Sequence, residues 1–259
     1  NAELGGDEDL LRQLRANDIQ LVVGQMAPVT AFVPEGAVFD LPMVFAPYDG
    51  KTIDRVLNGP GPFRQKLAAA YEKAGLHYMG TLQNGTYRLM TSNRPVKTVE
   101  DFRGLKIRTM SNRNHMAFWS ALGANPTPLA WPELYFSLQS GIVDAEENAA
   151  VQKYVGETNV ILYANEMVLN QKAWDSLPEA YRKVLDQSVQ EALEELSPTL
   201  VQVDRDCKEK LQKKGMTLVT YGPEFYQEVR NQPAVQELYK KIDAQTGGLG
   251  TLMVEELGK

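Results

Sequence analysis

Residues 98–148 read TVEDFRGLKIRTMSNRNHMAFWSALGANPTPLAWPELYFSLQSGIVDAEEN, and this stretch decides the fold. Thr98 is placed to cap a helical turn, with Asp101 three residues on and Gly104 as the stop. Residues 105–109 (LKIRT) then form a strand. Residues 112–122 form a helix with Met116, Trp119 and Leu122 apolar, ended by Gly123. Pro132 sits at a first helical position, that helix runs to Gly141, and residues 142–145 make a second strand. Strands alternating with helices point to an α/β layer.

The same alternation extends outward. On the N-terminal side, a short amphipathic helix over residues 7–14 turns Arg12 and Arg15 outward, and IQLVV at 19–23 has strand length. Pro34, Pro42 and Pro47 make the next segment loop and short helix. A helix over 62–74 ends at Gly75, and 77–81 is a strand. Asn84-Gly85 marks a turn, after which 88–90 is extended again. On the C-terminal side, 160–169 holds a strand. From Pro178 onward Ala180, Val184, Leu185, Val189, Ala192, Leu193 and Leu196 keep helical spacing. Pro198 interrupts the pattern, which resumes through Leu200, Val203, Cys207 and Leu211, so one long helix kinked at Pro198 is expected. A strand at 216–220 and further helices close the chain. The expected fold is α/β with a largely parallel sheet.

The 259 residues suffice for one large domain or two modest lobes. The net charge of -6 argues against nucleic acid as a partner, because phosphate binding needs a basic face. It leaves room for a small anion, which one buried arginine can hold. A single cysteine, Cys207, rules out an intrachain disulfide. No run approaches the roughly 20 apolar residues of a membrane span. The opening NAELGGDEDLL is acidic and has no apolar core, so it is no signal peptide, and a removed leader is expected. His77 and His115 lack metal-ligand spacing to each other or to Cys207. Nucleophile elbow, phosphate loop and dinucleotide fingerprint are all missing, so neither a metal, a cofactor nor hydrolytic or redox chemistry is expected.

Arg108 ends the 105–109 strand, and ligands of open α/β sheets gather at the carboxyl ends of strands. A guanidinium there can hold a carboxylate by two parallel hydrogen bonds. Pairing with a protein carboxylate is the commoner fate of such an arginine. Arg88, in the extended segment after NGTY, is a second cation candidate. Trp131 stands immediately before a helix-starting proline, at an element edge rather than within a core run. Asn148 closes the VDAEEN strand, where an asparagine is commonly a turn residue. Asp144, Glu146 and Glu147 form an acidic cluster, but alternation sends Glu146 and Glu147 to opposite faces.

Taken together, LKIRTM, GANPTPLAWPELYFSLQSGIVDAEEN, the opening NAELGGDEDLLRQL, VPEGAVFDLP, NGTYRLMTSNRPVKTVEDFRGLKIR and VQKYV with LNQKAWDSLPEAYRKVL resemble the solute-binding proteins of tripartite ATP-independent periplasmic (TRAP) transporters, the DctP-like family. The likeness covers nearly the whole chain. It implies a two-lobed periplasmic-binding-protein-like fold that closes on its ligand, with the long kinked helix crossing both lobes. The lobes would comprise 1–87 plus 165–204 and 88–164 plus 205–259. It also implies a periplasmic receptor, expected to be a monomer, that binds a small organic acid and passes it to membrane subunits. The family's carboxylate-binding arginine matches Arg108, its second arginine Arg88, its aromatic Trp131 and its QEN asparagine Asn148. Gln25 and Asp7 match positions that often face the cleft.

The ligand class stays open among dicarboxylates, sugar acids, keto acids and aromatic acids, with Trp131, Asp7 and Gln25 leaning towards a sugar acid. A lyase-type enzyme on the same scaffold and an extracytoplasmic sensor lobe are the alternatives. The chain departs from the family at VDAEENA, where Ala145, Glu146 and Ala149 replace the glycine, glutamine and proline of VDGQENP. By the resemblance, lobe I lacks a first β-α-β unit before Asn1, and about three helical turns are absent between Ala150 and Val151.

Overall fold

The computed structural model describes residues 3–147 and 152–259, with backbone alone at 84–86. Helix α1 (Asp7–Ala16) turns Leu11 and Leu14 inward and ends at Asn17, whose φ of 67° is the left-handed cap that asparagine tolerates. It leads into β1 (Leu21–Gln25). The proline-punctuated segment folds as two 3₁₀ turns, Ala27–Ala31 and Pro34–Asp40. Helix α2 (Gly50–Asn58) starts at Asp49, whose carboxylate accepts the Thr52 N–H at 2.7 Å. Helix α3 (Pro62–Lys73) buries Phe63, Leu67, Ala70 and Tyr71.

Strand β2 (Leu76–Tyr87) runs through Asn84-Gly85, where the dipeptide predicts a turn. Its pairing moves from Gln83↔Ala164 to Tyr87↔Leu162, so the extra residues are taken up as a bulge while the strand stays paired. Then come β3 (Met90–Ser92), the capped turn Val99–Phe102, β4 (Lys106–Thr109), α4 (Arg113–Ala121), β5 (Asn125–Pro128) and α5 (Trp131–Gln139). Strand β6 is only Ala145–Glu146, shorter and later than the sequence predicts, and Ile142 is left half-exposed. The chain continues with β7 (Tyr154–Gly156), β8 (Leu162–Asn170), α6 (Gln171–Ser176), α7 (Glu179–Lys213), β9 (Thr217–Val219), α8 (Pro223–Asn231), α9 (Pro233–Gln245) and α10 (Leu249–Leu257).

Two mixed α/β layers result, and they correct the expectation of a largely parallel sheet. The first has the order β1-β8-β2, and β8 runs antiparallel to both neighbours. The cause is topological: β1 and β2 point the same way, and the returning β8 inserts between them. The second has the order β5-β4-β6-β3-β7-β9. There β4 pairs in parallel with β5 and β6, and β7 with β9, but β3 opposes both β6 and β7.

Helix α7 is continuous over 35 residues, about 50 Å, with Pro198 inside it. Val189 and Leu193 pack with Met79, Leu169 and Trp174 against the first sheet. Further along, the Lys208 ammonium lies 2.7 Å from Glu157, just past β7 of the second sheet. One helix thus touches both layers, with its proline between the two anchor points.

Candidate functional site

Arg108 sits in β4 between β5 and β6, facing Thr127 and Glu146 in register. Its side chain is almost wholly buried. Nε donates to the Leu129 carbonyl at 3.0 Å and Nη1 to Glu146 Oε2 at 3.3 Å. The guanidinium is therefore held at two atoms, and neither bond uses Nη2. Pairing with a protein carboxylate, the commoner fate of such an arginine, holds for one arm of the fork. Glu146 is itself buried, so each charge of the pair depends on the other.

A cavity of about 350 Å³ opens on this arginine. Asp7 and Gln25 line it from α1 and β1, Arg108 and Trp131 from β4 and α5, together with Met110 and Tyr163. Four of the six residues singled out in the sequence thus line one cavity. An adjoining space of about 140 Å³ shares Asp7, Arg108 and Trp131. A larger recess of about 660 Å³, around Asn112 and Arg113, is lined by none of the four.

Burial pushes the Asp7 carboxyl up, against the pull of Arg108 and Arg88. Gln25 Oε1 is buried and takes no hydrogen bond. Trp131 is 50% exposed, with its ring at the cavity edge. Asn148 lies outside the described residues. Arg88 is not on this wall. It is buried behind it, with Nη1 3.8 Å from Glu147 Oε1 and no hydrogen bond at Nε or Nη1.

What stands behind the wall is a buried polar cluster that the sequence reading missed. Asn112 caps α4, its side-chain oxygen accepting the N–H groups of Asn114 and His115. Its amide nitrogen reaches both oxygens of Asp40, at 3.0 and 2.9 Å, and Asn114 Nδ2 adds a third hydrogen bond at 2.9 Å. His115 bridges two carboxylates, Nε2 to Asp40 at 3.1 Å and Nδ1 to Glu147 at 2.8 Å. Glu147 also accepts Trp119 Nε1 at 2.7 Å and the Met110 N–H at 3.1 Å. Burial opposes charge on His115, but Glu147 and Asp40 outweigh it and lift its pKa to about 9. Burial likewise opposes the Glu147 carboxylate, and His115, Arg88 and Trp119 outweigh that, holding it to about 2.

Glu146 and Glu147 do face opposite sides, one to Arg108 and one to His115. The available signal was the run Asn112, Asn114, His115 on a helix otherwise facing core. Three polar residues in one buried turn require partners.

On the first sheet, Glu166 of β8 faces Gly24 and Thr81. Burial drives its carboxyl up to about 8, against a hydrogen bond from the Tyr71 hydroxyl and with a further push from Asp7.

Residues 1–246 match the family described as bacterial extracellular solute-binding protein, family 7 (DctP). The sialic acid-binding periplasmic protein SiaP of Vibrio cholerae is 26% identical over 260 residues, 95% of this chain and 77% of that protein. A TRAP periplasmic solute-binding protein from Desulfovibrio salexigens, solved with orotic acid, superposes with TM-score 0.89 at 25% identity, covering 99% of this chain and 86% of the other. One from Shewanella oneidensis, solved with succinate, gives 0.86 at 27%, covering 99% and 85%. The fold is thus that of the two-lobed TRAP receptors, with α7 as its long helix. The chain belongs to family 7 of the bacterial extracellular solute-binding proteins, the DctP family, and is a solute receptor of the TRAP class rather than an enzyme.

Proposed function

We propose that the 350 Å³ cavity is the ligand site and that a small organic acid binds there through its carboxylate on Arg108. The observation that carries this reading is the placement of Arg108. It is a buried guanidinium, fixed at Nε and Nη1, on the wall of a cavity whose other side is built by α1 and β1. Fixing a donor beforehand lowers the ordering cost when the anion arrives. Trp131 covers a ring or flat apolar face. Asp7 and Gln25 accept hydrogen bonds from the far end, which favours a hydroxylated acid such as a sugar acid. Arg88 adds positive charge from behind, and the family resemblance implies Asn148 as a further partner of the carboxylate.

The lobes divide as 1–87 plus 165–204 and 88–164 plus 205–259, a reading supported by the two separate sheets. Contacts from both sides make the ligand favour the closed state. A monomeric receptor then offers the closed surface to the membrane subunits of its transporter.

The test is calorimetry with sialic acid, orotate and succinate on the wild type and on Arg108→Ala. At least one acid should bind the wild type, and the variant should lose 100-fold or more, about 2.7 kcal/mol. Equal binding by both proteins removes Arg108 from the site and the reading with it.

A further inference from the structure

Arg108 does not face the cavity as an uncompensated cation. Glu146, buried and standing where the VDGQENP pattern has glutamine, holds its Nη1 at 3.3 Å. Behind it, Arg88 and protonated His115 are matched by Glu147 and Asp40. Asp7 is the carboxylate lining the cavity, and among the described residues it makes no ion pair, Arg108 and Arg88 acting on it only from a distance. Beside it stands Gln25 Oε1, a buried acceptor with no donor. The wall is therefore short of positive charge and rich in acceptors away from Arg108.

Resting on the carboxylate reading above, we propose that Glu146 sets the charge of the ligand this receptor takes. By neutralising one arm of Arg108 it limits the site to a single carboxylate, and Asp7 and Gln25 require hydrogen-bond donors at the ligand's other end. A second carboxylate would meet Asp7 and an unfilled acceptor, both unfavourable in a closed, poorly hydrated cavity. Hydroxyl and ammonium groups are the two donors that satisfy the far wall, and both give a ligand with at most one net negative charge.

Three acids of equal length test this: 4-hydroxybutyrate, 4-aminobutyrate and succinate share one carboxylate and differ only at the far end. Calorimetry on the wild type should show one or both donor acids binding at least tenfold tighter than succinate, and which one leads identifies hydroxyl or ammonium as the donor. Glu146→Gln, which keeps the shape and removes the charge, should cut that preference tenfold or more by improving succinate. Asp7→Asn, on the other wall and independent of the buried pair's folding, should shift the preference the same way. Succinate binding as well as the others, no binding of any of the three, or a preference unmoved by Glu146→Gln overturns the proposal. The receptor reading is separate. If succinate wins and Arg108→Ala abolishes it, that reading stands while this proposal falls. If Arg108→Ala leaves binding unchanged, both fall.

Discussion

His115 Nδ1 lies 2.8 Å from Glu147 Oε1, with both side chains closed off from solvent. The contact joins α4 to the end of β6, and Glu147 also accepts the N–H of Met110, two residues past Arg108. The pair therefore fixes the backbone that aims Arg108.

Stability should fall on the alkaline side because of it. His115 holds its proton to about pH 9 in the fold but only to about 6.5 when unfolded. The stabilisation is full below pH 6.5 and is lost as pH rises through 9. Its ceiling is about 3 kcal/mol. Urea unfolding of the wild type at pH 6 and pH 9 should show that loss, and His115→Gln should flatten it. Glu147 works at the other end: its contribution is present above pH 4.5 and disappears as pH falls through about 2.

Glu166 opposes charge rather than using it. Its carboxyl is raised to about 8, so its favourable neutral form is full below pH 4.5 and is lost as pH rises through 8. Glu166→Gln keeps an acceptor for Tyr71 and cannot ionise. It should be more stable than the wild type at pH 8, by up to a few kcal/mol, and similar at pH 4.5. A thermal melt series across that range reads the difference directly.

Trp131 is half-exposed, so its loss should cost the fold little. Trp131→Ala should change unfolding free energy by no more than about 0.5 kcal/mol. Affinity for a ring-bearing acid such as orotate should drop about tenfold, the worth of one aromatic face. Equal affinities would place the ring outside the contact.

Pro198 lacks the N–H that would bond the Glu194 carbonyl, one turn back along α7. Pro198→Ala restores that donor and removes a residue about 3 kcal/mol poorer than alanine in a helix. Differential scanning calorimetry should show a higher midpoint, by an amount worth about 1–3 kcal/mol. Because the proline lies between the helix's two anchor points, ligand association should also slow, which stopped-flow fluorescence from the three tryptophans can follow.

The helices were legible because their ends are written locally, in Pro62, the Asn112 cap, Pro132 and Gly123. Long-range pairing is not written that way. Nothing near Ile161 or Leu162 announces that β8 returns between β1 and β2, and Asn84-Gly85 has turn chemistry that pairing with β8 overrides. Arg108, Trp131, Gln25 and Asp7 line one cavity. By contrast, Asp40, His115 and Glu147 are far apart in sequence, and each looks ordinary until the fold closes on it.

The insertion of β8 between β1 and β2 also governs when the molecule can assemble. Strand β1 is complete at residue 25 and β2 at residue 87, yet neither has its partner until residue 170 exists. Two-thirds of the chain must be synthesised before the first sheet can form at all. Pairing across such separations is slow, and until it happens both strands are open to unwanted partners.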